Sequence, residues 1–104
     1  EGPQAISKYN SVKIVPGMIL SNEPGYYEKN KFGIRIENLV FVSKNKNKKF
    51  FKNLTLAPID TDLINFKMLN NSEKKYLFNY HTNIYAKISK FLSSKEKNWL
   101  QSLI

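Results

Sequence analysis

The run Ile34-Arg35-Ile36-Glu37-Asn38-Leu39-Val40-Phe41-Val42 constrains what this chain can fold into more than any other stretch. It is rich in branched and aromatic residues, follows Gly33, and reads as a β-strand. Side chains alternate across a strand, so Ile34, Ile36, Val40 and Val42 share one face, while Arg35, Glu37, Leu39 and Phe41 share the other. Two charged residues therefore stand on a face that is otherwise apolar. Glutamate is disfavoured in strands and costly to bury without a partner, so Glu37 calls for a compensating group.

A second carboxylate poses the same problem. Met18-Ile19-Leu20 is an apolar run of strand length, and Ser21-Asn22-Glu23-Pro24-Gly25-Tyr26-Tyr27 follows it, with a Pro-Gly bend directly after Glu23. Two readings of the pair stand side by side. In one, Glu37 pairs with Arg35 two residues away and Glu23 accepts hydrogen bonds from the turn. In the other, both carboxylates converge on a hard divalent cation, for which oxygen ligands from neighbouring strands are a common solution.

The rest of the chain supplies the frame. Ser11–Ile14 is extended in character and is closed by the turn Pro16-Gly17, and Leu54-Thr55-Leu56-Ala57 reads as a further short strand ended by Pro58. Asn70 stands three residues before Glu73, in the pattern of a helix N-cap with its reciprocal acid. Beyond it Leu77, Tyr80, Ile84, Ile88 and Phe91 recur at helical spacing and predict an amphipathic helix over 72–91. Ser93 with Glu96 repeats the capping signal ahead of a short helix whose apolar side carries Trp99, Leu100, Leu103 and Ile104. Strands come first and helices last, which predicts an α+β chain of antiparallel strands followed by two C-terminal helices.

At 104 residues the chain has room for one modest domain or a piece of a larger one. It has no cysteine, which removes disulfides, thiolate metal sites and cysteine nucleophiles. No apolar run approaches the ~20 residues of a membrane span, and the expectation is a soluble, cytoplasmic chain with no membrane partner. The net charge of +9 suggests an anionic partner. The densest basic stretch, 44–53, interleaves Lys with Asn and holds Phe50 and Phe51, a mixture that can hold single-stranded nucleic acid. Arg35 is the sole arginine, however, and readers of nucleic acid usually employ arginine forks, so 44–53 is read as a solvated, Lys/Asn-rich hairpin loop with no nucleic-acid partner.

The ordered set Gly17-Met18-Ile19-Leu20-Ser21-Asn22-Glu23-Pro24-Gly25-Tyr26-Tyr27 and Phe32-Gly33-Ile34-Arg35-Ile36-Glu37-Asn38 closely resembles the end of the catalytic domain of X-prolyl aminopeptidase (aminopeptidase P), of the M24 pita-bread metallopeptidases. Glu1-Gly2-Pro3-Gln4 is similar to the stretch that directly follows a catalytic histidine there. Leu54–Asp60, Asn79-Tyr80-His81 and the Trp99-Leu100 helix resemble the C-terminal module of the longer members. The resemblance implies a partial pita-bread (creatinase/aminopeptidase) fold, with 1–43 as the end of the catalytic domain and 54–104 as the C-terminal module. It implies that Glu23 ligates one metal and takes part in proton transfer, and that Glu37 bridges two divalent ions, usually manganese. Tyr27 and Arg35 match positions behind the ligands. The implied substrates are peptides with proline in second position, and the family's common state is a homodimer.

The departures set a limit. The family's two aspartates and its histidines match nothing in this sequence, and His81, well along the first predicted helix, reads as a packing or surface residue. The expectation is a C-terminal fragment of an Xaa-Pro aminopeptidase that is inactive alone. The alternative is a non-catalytic interaction module derived from the same fold.

Overall fold

The computed structural model describes residues 2–104; the reading placed on Glu1 lies outside them. The chain divides into two compact units, one ending at Thr55 and the other spanning Leu56–Ile104.

The first unit is built of antiparallel strands. β1 (Ile19–Asn22), β4 (Asn38–Asn45) and β5 (Lys48–Asn53) form a sheet in the order β1-β4-β5, and β2 (Gly25–Glu28) pairs with β3 (Phe32–Arg35) in a separate two-stranded ribbon. Val15-Pro16-Gly17-Met18 makes the turn into β1, with the Met18 N–H donating to the Val15 carbonyl at 3.3 Å. Gly17 takes φ +93°, the left-handed conformation that only glycine adopts freely. Leu20, Val40 and Val42 form the core, joined by Ile14 and Met18, and the two valines are on the face that their alternation predicts. Asn38, the first residue of β4, is also buried. Its side chain accepts from Asn22 at 3.0 Å and donates to Asn53 at 2.8 Å, an amide ladder that ties three strands together and satisfies a buried polar group.

Two expectations are corrected in this unit. The run 34–42 is not one strand: β3 ends at Arg35, β4 begins at Asn38, and they belong to different sheets. The cause lies on the partner side, where Pro24 has no N–H to give to the ladder. The Lys/Asn stretch is a hairpin as expected, but its loop is short: β4 and β5 run into it from both sides with Lys44 paired to Lys49 and Asn45 to Lys48, which leaves Lys46 and Asn47 as the turn. Lys46 takes φ 51° there.

The second unit holds α1 (Asn71–Ile88) and α2 (Ser94–Gln101), with one turn of 3₁₀ helix at Ser89–Phe91 between them. Both capping boxes close in full. Asn70 accepts from Glu73 N–H and Glu73 returns a bond to Asn70 N–H; Ser93 and Glu96 repeat the pattern. Tyr80, Ile84 and Leu100 form the core, with Ile59, Tyr85, Ile88, Leu92 and Leu103 packed around it. The apolar stripe stops short of its predicted end. The tighter turn after Ile88 swings Phe91 out to 77% exposure, and Trp99 is 59% exposed. Leu54–Ala57 is likewise not a strand, since β5 ends at Asn53.

Candidate metal-binding site

Register brings the two carboxylates together. In the three-stranded sheet Asn22 pairs with Asn38, and in the ribbon Gly25 pairs with Arg35. The same number of residues separates the pairs on both sides, so pairing crosses the interruption without a slip and sets Glu23 opposite Glu37 and Pro24 opposite Ile36. One backbone bond survives there, from the Ile36 N–H to the Pro24 carbonyl at 3.1 Å. A residue that precedes proline is held to extended backbone, so Glu23 continues the line of β1.

Like charges directly opposite one another destabilise a strand pair, and Arg35 answers this. Its Nη1 lies 3.6 Å from Glu23 Oε2 and its Nε lies 3.4 Å from Glu37 Oε2. The Ser21 hydroxyl donates to the other oxygen of Glu23, Oε1, at 2.6 Å. Both simpler expectations are thereby modified: Arg35 pairs with Glu23 as well as with Glu37, and the hydrogen bond on Glu23 comes from a strand serine. All three side chains remain about half exposed. They line an open depression of ≈ 700 Å³ whose walls include Ile19, Ser21, Leu39, Gly2 and Gln4.

Tyr27 stands on the same face by strand parity. Its ring lies over Gly25 and Gly33: a methyl group at Gly33 would come within 2.5 Å of Tyr27 Cδ1, and one at Gly25 within 2.8 Å of its hydroxyl. The hydroxyl thus sits beside Gly25, whose strand partner is Arg35. On the opposite face Tyr26 and Phe32 pack at a centroid distance of 6.0 Å.

The donor chemistry suits a hard divalent cation, since two carboxylates face one another across one depression. The donor number does not complete such a site. Among the described residues no third His, Cys, Asp or Glu stands close enough to make a cluster. His81 is far along α1, buried, with Nε2 accepting the Ile59 N–H at 3.1 Å, while Tyr80 donates its hydroxyl to the Ala57 carbonyl at 2.9 Å. It is a packing residue that holds the connector onto α1. Ser21 is the member of the carboxylate cluster that sequence reasoning missed. Its one signal was its position two residues before Glu23, on the same side of a strand.

Family models match on both sides: metallopeptidase family M24 over residues 1–44, and the C-terminal region of peptidase_M24 over residues 50–103. The chain belongs to the M24 metallopeptidases. Among relatives, it is 40% identical over 114 residues to the probable Xaa-Pro aminopeptidase P of Ajellomyces capsulatus and 39% identical over 114 residues to that of Coprinopsis cinerea. Each match covers 97% of this chain and 18% of the relative, so the chain spans less than a fifth of the length of these proteins. A crystal structure of X-prolyl aminopeptidase from Caenorhabditis elegans, described as a cytosolic enzyme with a di-nuclear active site, superimposes with a TM-score of 0.77 at 32% identity, over 86% of this chain and 16% of that one. The fold is that of the corresponding part of the pita-bread enzyme.

Proposed function

We propose that this chain supplies the last two carboxylate ligands of a dinuclear Xaa-Pro aminopeptidase, which removes the N-terminal residue from peptides with proline in second position. The observation that carries the reading is the unslipped register that sets Glu23 against Glu37 over a shared depression. Two divalent cations, manganese by preference, supply Lewis acidity to a peptide carbonyl and to water when bound. Glu37 and Glu23 would hold the cations, and Glu23 would take a proton from the attacking water and pass it to the departing prolyl nitrogen. Arg35 neutralises and orients both carboxylates, and Tyr27 closes the face behind Arg35. In this reading residues 1–43 end the catalytic domain and 54–104 form the C-terminal module of a cytoplasmic homodimer.

Hydrolysis of an Xaa-Pro dipeptide with added Mn²⁺ tests it, using the 104-residue chain alone and the same sequence carried in its complete polypeptide. The chain alone is expected to give no turnover, because two carboxylates cannot fill the coordination of two cations. The complete polypeptide is expected to turn over, and Glu37→Ala in it to abolish turnover. Activity that survives Glu37→Ala overturns the ligand assignment.

A further inference from the structure

We infer that Ser21 is a positioning residue: its hydroxyl holds the plane of the Glu23 carboxylate, with one oxygen bonded to the serine and the other turned toward Arg35. The inference rests on the reading of Glu23 and Glu37 as ligands of a shared cation pair, and it assigns a role to a side chain that touches neither cation nor substrate. Side chains two apart on a strand point the same way, so Ser21 and Glu23 lie on one face. The Ser21 Oγ donates to Glu23 Oε1 at 2.6 Å, a separation typical of a hydroxyl bonded to an ionised carboxylate. Glu23 Oε2 faces across the break toward Arg35, whose guanidinium also reaches Glu37 Oε2. The torsion of a carboxylate about its last bond is broad, so its plane is otherwise free to swing. Ser21 narrows that swing.

The serine is itself well held. Leu39 is its partner in the register of β1 and β4. The Leu39 N–H donates to Thr55 Oγ1 at 2.8 Å and its carbonyl accepts from Leu54 N–H at 2.9 Å, so that the strand opposite Ser21 is pinned from the far side. Ser21 is half-buried and follows Leu20, a core residue. The hydroxyl keeps its proton throughout; it orients an acceptor and takes no part in proton transfer.

The test is a pair of isosteric variants, Ser21→Thr and Ser21→Val, in the complete polypeptide. Both side chains are β-branched and favour strands, so they differ in the hydroxyl alone. Mn²⁺ affinity is measured by competition with a chelator, and kcat and KM are measured separately. Thr is expected to hold Mn²⁺ within about twofold of the parent, and Val to lose about ten- to a hundredfold in affinity, the usual cost of deleting a group that orients a ligand. The kcat of the Val variant is expected to fall at saturating Mn²⁺, with KM for the peptide unmoved. Val binding Mn²⁺ as Thr does overturns the inference, as does a Val variant whose loss of affinity is matched by an equal loss of thermal stability relative to Thr. Glu37→Ala separates the two levels. If it loses Mn²⁺ while Val keeps it, the role of Ser21 fails and the site stands; if Glu37→Ala also keeps it, the site itself fails.

Discussion

At the scale of single residues, Arg35 and Tyr27 shape the carboxylate face by different means. The ion pairs of Arg35 are half exposed, so water and salt screen them and their contribution to folding is small. Arg35→Gln is expected to lower stability by under about 1 kcal/mol in urea unfolding, an effect that vanishes in high salt. Steric exclusion governs Tyr27. Gly33 is adjacent to the ring, so Gly33→Ala must displace it, and a double-mutant cycle of Gly33→Ala with Tyr27→Ala is expected to show a coupling of about 0.5–3 kcal/mol. Additive effects would mean that the ring moves aside without cost. Sequence reasoning picks out Glu23, Glu37 and Arg35 as charges set in apolar strand surroundings, and Tyr27 through the ordered motif that holds them. It did not find Ser21, because a serine ahead of Asn, Glu, Pro and Gly looks like one more turn former and its bond depends on strand geometry.

At the scale of elements, legibility followed the range of the interactions that define each one. Both helices start at caps that are visible within four residues, and both were read correctly from Asn70 with Glu73 and from Ser93 with Glu96. The split of 34–42 into two strands was hidden, because its cause is Pro24, distant in sequence and adjacent only in the folded ladder. β5 was hidden by composition, since lysine and asparagine masked a strand whose partner is the better-patterned β4. The caps make a prediction in pH. The hydroxyl of Ser93, and after it the Ser93 N–H, hold the Glu96 carboxyl below the ordinary carboxylate range. A group lowered on folding contributes stability at and above its unfolded pKa and loses it as pH falls through the folded one. Helical circular dichroism of the chain is therefore expected to be flat near neutrality and to weaken at the acid end. Glu96→Gln, which keeps the capping geometry without the charge, is expected to flatten that acid slope; an unchanged slope would remove Glu96 as its source. Asn70→Ala is expected to destabilise α1 by about 1 kcal/mol at any pH.

At the scale of the whole molecule, the two units depend on different things. The second unit closes a core on Ile84, which is 0% exposed, and Ile84→Ala is expected to cost about 2–5 kcal/mol in thermal or denaturant unfolding. The sheet of the first unit covers one face with Leu20, Val40 and Val42 and leaves Ile19 and Leu39 half exposed on the other, beside the carboxylates. A ligand that binds only the folded state raises the melting temperature, and the 104-residue chain with millimolar Mn²⁺ is expected to show no such rise, whereas the complete polypeptide is expected to show one. The α+β order of the chain was legible from the sequence, because strand and helix periodicities differ and are segregated along it. That Glu23 and Glu37 converge was one of two readings the sequence left open and the one its motif favoured; the register that sets them opposite one another was not legible, since it is a property of alignment between segments and of neither segment alone.

That alignment has a consequence for how the chain tolerates change in length. The break at 23–24 and 36–37 looks like a pair of loops, the places where insertions are usually absorbed, yet ladders bound it on both sides in one common register. A single residue added to either side would turn every side chain of the adjoining strand to the opposite surface of the sheet, since strands repeat every two residues. Glu23 or Glu37 would then point away from the depression, and Tyr27, still over Gly33 within its own ribbon, would no longer share the carboxylates' surface. The gap is as intolerant of length change as the middle of a strand, so matched gains on both sides, each of an even number of residues, are the changes in length that preserve it.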